Sequence, residues 1–132
     1  MNGTPQYLLV LYRAERRGNV PVSPGTVADA VGRSPAATTE MLQRLDDRGL
    51  VAHEPYDGVT LTAEGRERAA DLYGTYVTLS RFFDEVFDLP DHEREAMSLV
   101  GAISPTVVDR LATTLLDADA AGVDGPPDSP RQ

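Results

Sequence analysis

Behind the helix-starting pair Ser34-Pro35, the residues Ala36, Ala37, Thr39, Glu40, Gln43 and Arg44 recur at steps of three and four. On a helix such steps share one face. That face is small where it begins and polar further on, which suits close approach to a DNA groove. The methyl groups of Ala36, Ala37 and Thr39 can touch thymine methyls, and Glu40 can accept from a cytosine N4 amine. Arg44 is placed for phosphate rather than for bases. Ser34 and the first-turn amides can meet phosphate too, because a helix N-terminus favours anions. Arg33, Arg48 and the turn Tyr56-Asp57-Gly58 can add backbone contacts. The expected DNA-contacting set is therefore Ser34, Ala36, Ala37, Thr39, Glu40, Gln43, Arg44 and Tyr56. The plainer alternative is a helical hairpin and β-ribbon that pack a small core or dock a protein.

Other chemistry finds less support. There is no cysteine nucleophile, phosphate loop or His-Glu-x-x-His, and His53 and His92 are far apart in sequence, so an enzyme is not expected. A metal site is conceivable where Asp91, His92, Glu93 and Glu95 crowd together, with His53 near the hairpin. His92, Glu93 and Met97 are its weak candidates. A charged helix start is also what the helix dipole favours, so a solvated face is the stronger expectation.

The elements that would hold these residues follow from caps and periodicity. Thr4 is expected to cap a first helix with Pro5 at its first position, burying Tyr7, Leu8 and Leu11 and ending at Gly18-Asn19. Ser23-Pro24 starts a second, with Val27, Ala30 and Val31 inward and Gly32 as its stop. In the third, Thr38, Met41, Leu42 and Leu45 face inward and Gly49 ends it. Leu50 to Ala52 reads as a strand, residues 54–58 as a turn and Val59 to Leu61 as the returning strand. Thr62 then caps a long helix with Ala69, Leu72, Tyr73, Tyr76, Leu79, Phe83 and Val86 on its apolar face. A short helix is expected from Asp91 to Ala102, and a last one from Ser104-Pro105 with Val108, Leu111, Ala112 and Leu115 on one side. The fold class is thus mainly α with a small β-hairpin. Residues 1–62 form a winged helix-turn-helix, 63–116 a helical dimerisation domain and 117–132 a disordered acidic, Pro-rich tail. Val107, Val108, Leu111 and Leu115 are the residues expected to pair across a two-fold axis.

The segments Tyr7-Leu8, Val27-Ala28, Ser34-Pro35 through Leu45, Gly49-Leu50-Val51, Gly58 to Thr62, Gly65 and Ala69 resemble the iron- and manganese-dependent repressors typified by the diphtheria toxin repressor and the manganese transport regulator. The resemblance continues through Leu79 to Phe83, Ala96, Ile103-Ser104, Val107-Val108 and Asp109-Arg110-Leu111. It implies a homodimer that binds double-stranded DNA at a palindromic operator, in a short form without the SH3-like domain of longer members. It also implies a divalent metal, iron or manganese, but the family's ligand positions fall on Gln6, Leu9, Tyr76, Met97, Val100 and Gly101, with Ser80 and Glu93 as accessories. Iron and manganese prefer carboxylate and imidazole, so no metal is expected at those positions and no cofactor is required. The alternatives are a winged-helix protein adaptor, a regulator answering to metal at a shifted site, or one answering to a small organic ligand.

Charge bounds the setting. The chain has 12 basic and 21 acidic residues, a net charge of −9, and no lysine or cysteine. DNA binders are ordinarily basic, since cations that meet phosphate release counterions. In concentrated salt that release contributes little and acidic surfaces aid solubility. The expected source is therefore a salt-loving cell, which alongside the family resemblance is taken to be archaeal, and the expected location is its cytoplasm, as no apolar run matches a membrane span. On this reading the protein gains stability to urea in molar KCl relative to dilute buffer; equal stability in both would refute the salt adaptation.

Overall fold

The computed structural model describes residues 3–54 and 57–124. In order these form α1 (Thr4–Arg16), α2 (Pro24–Val31), α3 (Pro35–Asp47), β1 (Val51–Glu54), β2 (Gly58–Leu61), α4 (Ala63–Glu85), α5 (His92–Leu99) and α6 (Pro105–Asp124). The expected mainly helical fold with one hairpin is what the chain adopts. Two compact units result, Met1–Gly74 and Thr75–Gln132. The division falls inside α4 rather than after Thr62, because Ala69 is part of the N-terminal core and Leu72 packs against it.

The N-terminal helices begin and end as local chemistry dictates. Ser23 Oγ accepts from the Thr26 amide and Ser34 Oγ from the Ala37 amide, each at 3.1 Å, and proline follows both caps. The first helix departs from expectation: its N-cap is Gly3, not Thr4. The Gln6 side chain reaches back to the Gly3 amide at 2.8 Å, which satisfies an end donor without a hydroxyl. At the end of α3, Gly49 takes φ 75°. The Gly49 amide then donates to Asp46 O and the Leu50 amide to Leu45 O, both at 2.9 Å, an arrangement that a left-handed residue permits.

Leu8, Leu11, Val27, Leu42, Leu45, Leu50, Val51 and Val59 converge with Tyr7 in one core, each 2 % exposed or less. Burying a side chain of this kind contributes about 1.5–3 kcal/mol. Ala28, not Ala30, completes the inward face of α2, since 27, 28 and 31 are the positions that meet the core. Met41 is only half-buried. The hairpin pairs Val51 with Leu61, Ala52 with Thr60, His53 with Val59 and Glu54 with Gly58. Val22 bridges to the other edge of β2, exchanging amide bonds of 2.9 and 2.8 Å with Val59.

In the C-terminal unit Tyr76, Leu79, Ala96, Val100 and Leu115 are buried. Ser80 Oγ lies 2.8 Å from His92 Nδ1. Phe87 stands edge-on to Phe82 at 5.2 Å and stacks near Phe83 at 6.2 Å. Three expectations change here. Val86 lies past the end of α4 and is exposed, so it is not a core position. The fifth helix ends at Leu99, with Val100 as its C-cap, rather than running to Ala102. The sixth runs on to Asp124, so residues 117–124 are helical and not a disordered tail. Alanine is the strongest helix former, and alanines punctuate that stretch. Residues 125–132, where the rest of the tail was expected, lie outside the described residues.

The start of α4 fixes the hairpin to α3. Thr62 Oγ1 donates to Gly49 O at 2.6 Å and accepts from the Gly65 amide at 3.0 Å, while the Thr62 amide donates to Leu50 O at 3.1 Å. Gly65 crosses that same carbonyl so closely that an added Cβ would sit 1.9 Å from Leu50 O. Gly65→Ala is therefore expected to cost roughly 2–4 kcal/mol in urea unfolding, as a backbone clash in a packed region does. Gly74→Ala, in the same helix but with nothing within 4 Å of its added Cβ, is expected to stabilise by up to about 1 kcal/mol. Equal effects at the two positions would refute the close-approach account.

Candidate nucleic-acid interface

The third helix presents the two faces its spacing predicts. Thr38, Leu42 and Leu45 are buried, whereas Ser34, Ala36, Thr39, Glu40, Gln43 and Arg44 are exposed and Ala37 is half-buried. The exposed face begins with two methyls, so backbone can come close there before any long side chain intervenes. Ser34 spends its acceptor on the Ala37 amide, which leaves the hydroxyl proton for an outside oxygen. Gln43 Nε2 donates to Asp47 Oδ1 at 3.1 Å, a bond along the exposed face to the residue one turn on. Tyr56, also expected at the interface, lies outside the described residues, as does Pro55.

One positioning contact escapes sequence reading. His53 Nδ1 on β1 lies 2.8 Å from Asp46 Oδ2 in the last turn of α3. It links the hairpin to the helix from outside, opposite in role to the buried Leu45 and Leu50. Neither residue sits in a recognisable motif, so only the hairpin's return toward α3 brings them together. A second surface link joins α1 to α4: Arg66 Nε and Nη2 donate to the two carboxylate oxygens of Glu15 at 2.6 and 2.7 Å. The Arg66 hydrogen bonds hold the Glu15 carboxyl below its ordinary value. Glu15 therefore stays ionised, and the pair intact, to lower pH than a free glutamate would.

The metal positions implied by the resemblance offer the wrong donors. In the N-terminal unit Gln6 is buried with its oxygen on the Gly3 amide, and Leu9 is fully buried. In the C-terminal unit Tyr76 and Val100 are buried, Met97 is half-buried, and Gly101 and Glu93 are exposed. An amide, alkyl groups, a phenol and a thioether do not make the carboxylate and imidazole set that iron and manganese prefer. Nor does the alternative cluster assemble: His92 turns to Ser80, and among the described residues no group of three or more His, Cys, Asp or Glu side chains could hold a metal. The residues present do not fit the family's metal.

The residues expected to pair two chains are divided by the helix period. Val107 is 46 % exposed and Val108 and Leu111 are half-buried, but Leu115 is only 2 % exposed. Leu115 is covered within a single chain, so it leaves the expected pairing set. Positions 108, 111 and 115 share one side of α6, and that side turns inward at its far end.

Comparison with known proteins agrees with this geometry. The family described as "Iron dependent repressor, N-terminal DNA binding domain" matches residues 1–59. An uncharacterized HTH-type transcriptional regulator of Methanocaldococcus jannaschii is 32 % identical over 107 residues, which span 80 % of this chain and 86 % of that one. Among solved structures, a manganese-dependent transcriptional repressor in complex with manganese superposes with a TM-score of 0.76 at 28 % identity, covering 85 % of this chain and 52 % of that one. The manganese regulator SloR gives a TM-score of 0.75 at 25 % identity, covering 87 % and 54 %. The chain thus spans about half the length of these solved relatives. No helix among the described residues is long and apolar enough to cross a membrane.

Beneath the exposed face, Thr38 is fully buried and its hydroxyl has no hydrogen-bond partner among the described residues. A buried hydroxyl left unpaired costs about 1–3 kcal/mol. Thr38→Val keeps the shape and removes the polar atom, so it is expected to raise stability by about 1 kcal/mol in urea unfolding and leave the DNA face unchanged. A loss of stability would show that the hydroxyl is satisfied.

Proposed function

This chain belongs to the iron-dependent repressor family of DNA-binding transcription regulators, and we propose that it reads a palindromic operator as a homodimer, with α3 in the major groove and without a bound metal. It is a regulator and not an enzyme. The observation that carries the reading is the division of α3 into a buried side and an exposed, small-faced side. Ala36, Ala37 and Thr39 approach the base edges, Glu40 and Gln43 select among them, and Ser34 and Arg44 hold phosphate. The hairpin follows the adjacent backbone, and Tyr56, which lies between its strands in the sequence, is the residue expected to add a contact there.

Pairing of two chains is supported by the C-terminal unit, which leaves Val86, Phe87 and Val107 exposed at 48 %, 57 % and 46 %. Large apolar side chains in that number ask for a cover. A two-fold dimer would set half-sites about 34 Å apart. Independence from metal is supported by the donor set, which lacks the ligands that iron and manganese prefer. The acidic, lysine-free composition supports a salty cytoplasm as the place of action.

Fluorescence anisotropy on DNA from the protein's own promoter tests this reading. Binding is expected to persist in EDTA and to gain nothing from manganese; loss in EDTA with recovery on manganese would overturn the metal-free proposal. Ala36→Glu is expected to abolish sequence-specific binding. Arg44→Ala is expected to weaken binding to all sequences alike and to lower the salt slope by about 1. If Arg44→Ala instead changed the preferred base, its assignment to phosphate would fail.

A further inference from the structure

We propose that the last turn of α1 and the facing side of α4 form a receptor for a small phosphate-bearing anion, built from Arg13, Arg16, Arg17 and Tyr73. These four residues line a cleft of about 150 Å³ within the N-terminal unit. Three of the chain's 12 basic residues stand here within one turn and a half of helix, in a molecule of net charge −9. The acid among them, Glu15, is already held by both Arg66 donors at 2.6 and 2.7 Å. Arg16 and Arg17 therefore line the cleft beside an acid whose charge Arg66 already balances. The distant acidic surface opposes these arginines weakly, because screening in physiological salt acts over about 8 Å.

Geometry adds what charge alone would not. The Arg16 guanidinium lies 4.9 Å from the Tyr73 ring centroid and 5.9 Å from that of Tyr12. Those rings are themselves 5.4 Å apart and tilted by 50°. A guanidinium held over an aromatic ring still has N–H donors to offer, and a planar fork of such donors matches phosphate oxygens. The cleft is well below the roughly 300 Å³ at which drug-sized pockets begin. It suits a phosphate group and not a whole nucleotide. No residue of α3 lines it, so the anion and a duplex would use different residues, and the anion would tie the end of α1 to α4.

The group can be free inorganic phosphate or the phosphate of a small ester. Thermal unfolding of the full chain tests this, with potassium chloride exchanged for potassium phosphate or glycerol phosphate at constant ionic strength. Phosphate strengthens many folds non-specifically, so the readout is the difference between wild type and variants. Wild type is expected to gain about 3 °C or more over Arg16→Gln and Arg17→Gln at saturating phosphate. Arg110→Gln, in the other unit, is expected to behave as wild type. A larger gain with the ester assigns the site to a phosphorylated metabolite, and a larger gain with inorganic phosphate to the free ion. Equal gains in wild type and both cleft variants would overturn the proposal. The cleft variants are expected to bind promoter DNA as wild type does, so failure here is distinct from failure of the DNA-reading proposal.

Discussion

The N-terminal unit depends on one close crossing, where the first turn of α4 passes over the carbonyl of Leu50. Gly65 is the residue that lets the two backbones approach, and Thr62 closes the junction with bonds to Gly49 O and to the Gly65 amide. Through it the end of α3, the hairpin and the start of α4 are joined by backbone atoms, which leave little room for adjustment. The left-handed Gly49 directs the chain out of α3, and Leu50 drops straight into the core. The orientation of the exposed face of α3 follows from that geometry, since the same helix cannot rotate without pulling Leu45 and Leu50 out of apolar contact.

Charge is arranged on a different principle. The chain carries a large acidic excess, yet arginines remain at places where a guanidinium has a specific geometric task. Arg66 grips both oxygens of Glu15, Arg16 lies against Tyr73 and Tyr12, and Arg81 pairs with Glu85 one turn on, at 2.9 Å. A planar fork with fixed donors suits each of these better than a flexible ammonium would. The surface pairs contribute little stability singly; their value lies in fixing where charge sits. For DNA binding, the acidic remainder means that shape and base contact must carry more of the affinity than in a basic protein.

The family resemblance and the donor chemistry point in different directions, and the structure shows how both hold. The residues of the resemblance that survive are those that build the scaffold: the glycines at 49, 58 and 65, the cap at Thr62, and the apolar positions of α1 to α3. At the positions where the resemblance implies metal ligands, several side chains pack or bond locally instead, as Gln6 does in capping its own helix and Leu9, Tyr76 and Val100 do in being buried. A scaffold closed by backbone bonds and a shared core can keep its shape without a metal bridge inside the unit. The fold is therefore separable from the signal that controls it.

The sequence by itself determined the helix starts at Ser23-Pro24 and Ser34-Pro35, the stop at Gly49, the hairpin and the two faces of α3, because caps, turns and periodicity are local and each is written in a few adjacent residues. It misplaced the cap of α1, the inward alanine of α2, the exposed Val86, the end of α5 and the length of α6, where competing local choices differ by little. Only the tertiary structure decided that Gly65 must be glycine, that His53 meets Asp46, that Leu115 is covered and that Arg16 meets Tyr73. Each of these depends on two stretches far apart in the chain arriving within contact distance, and no local pattern encodes that distance.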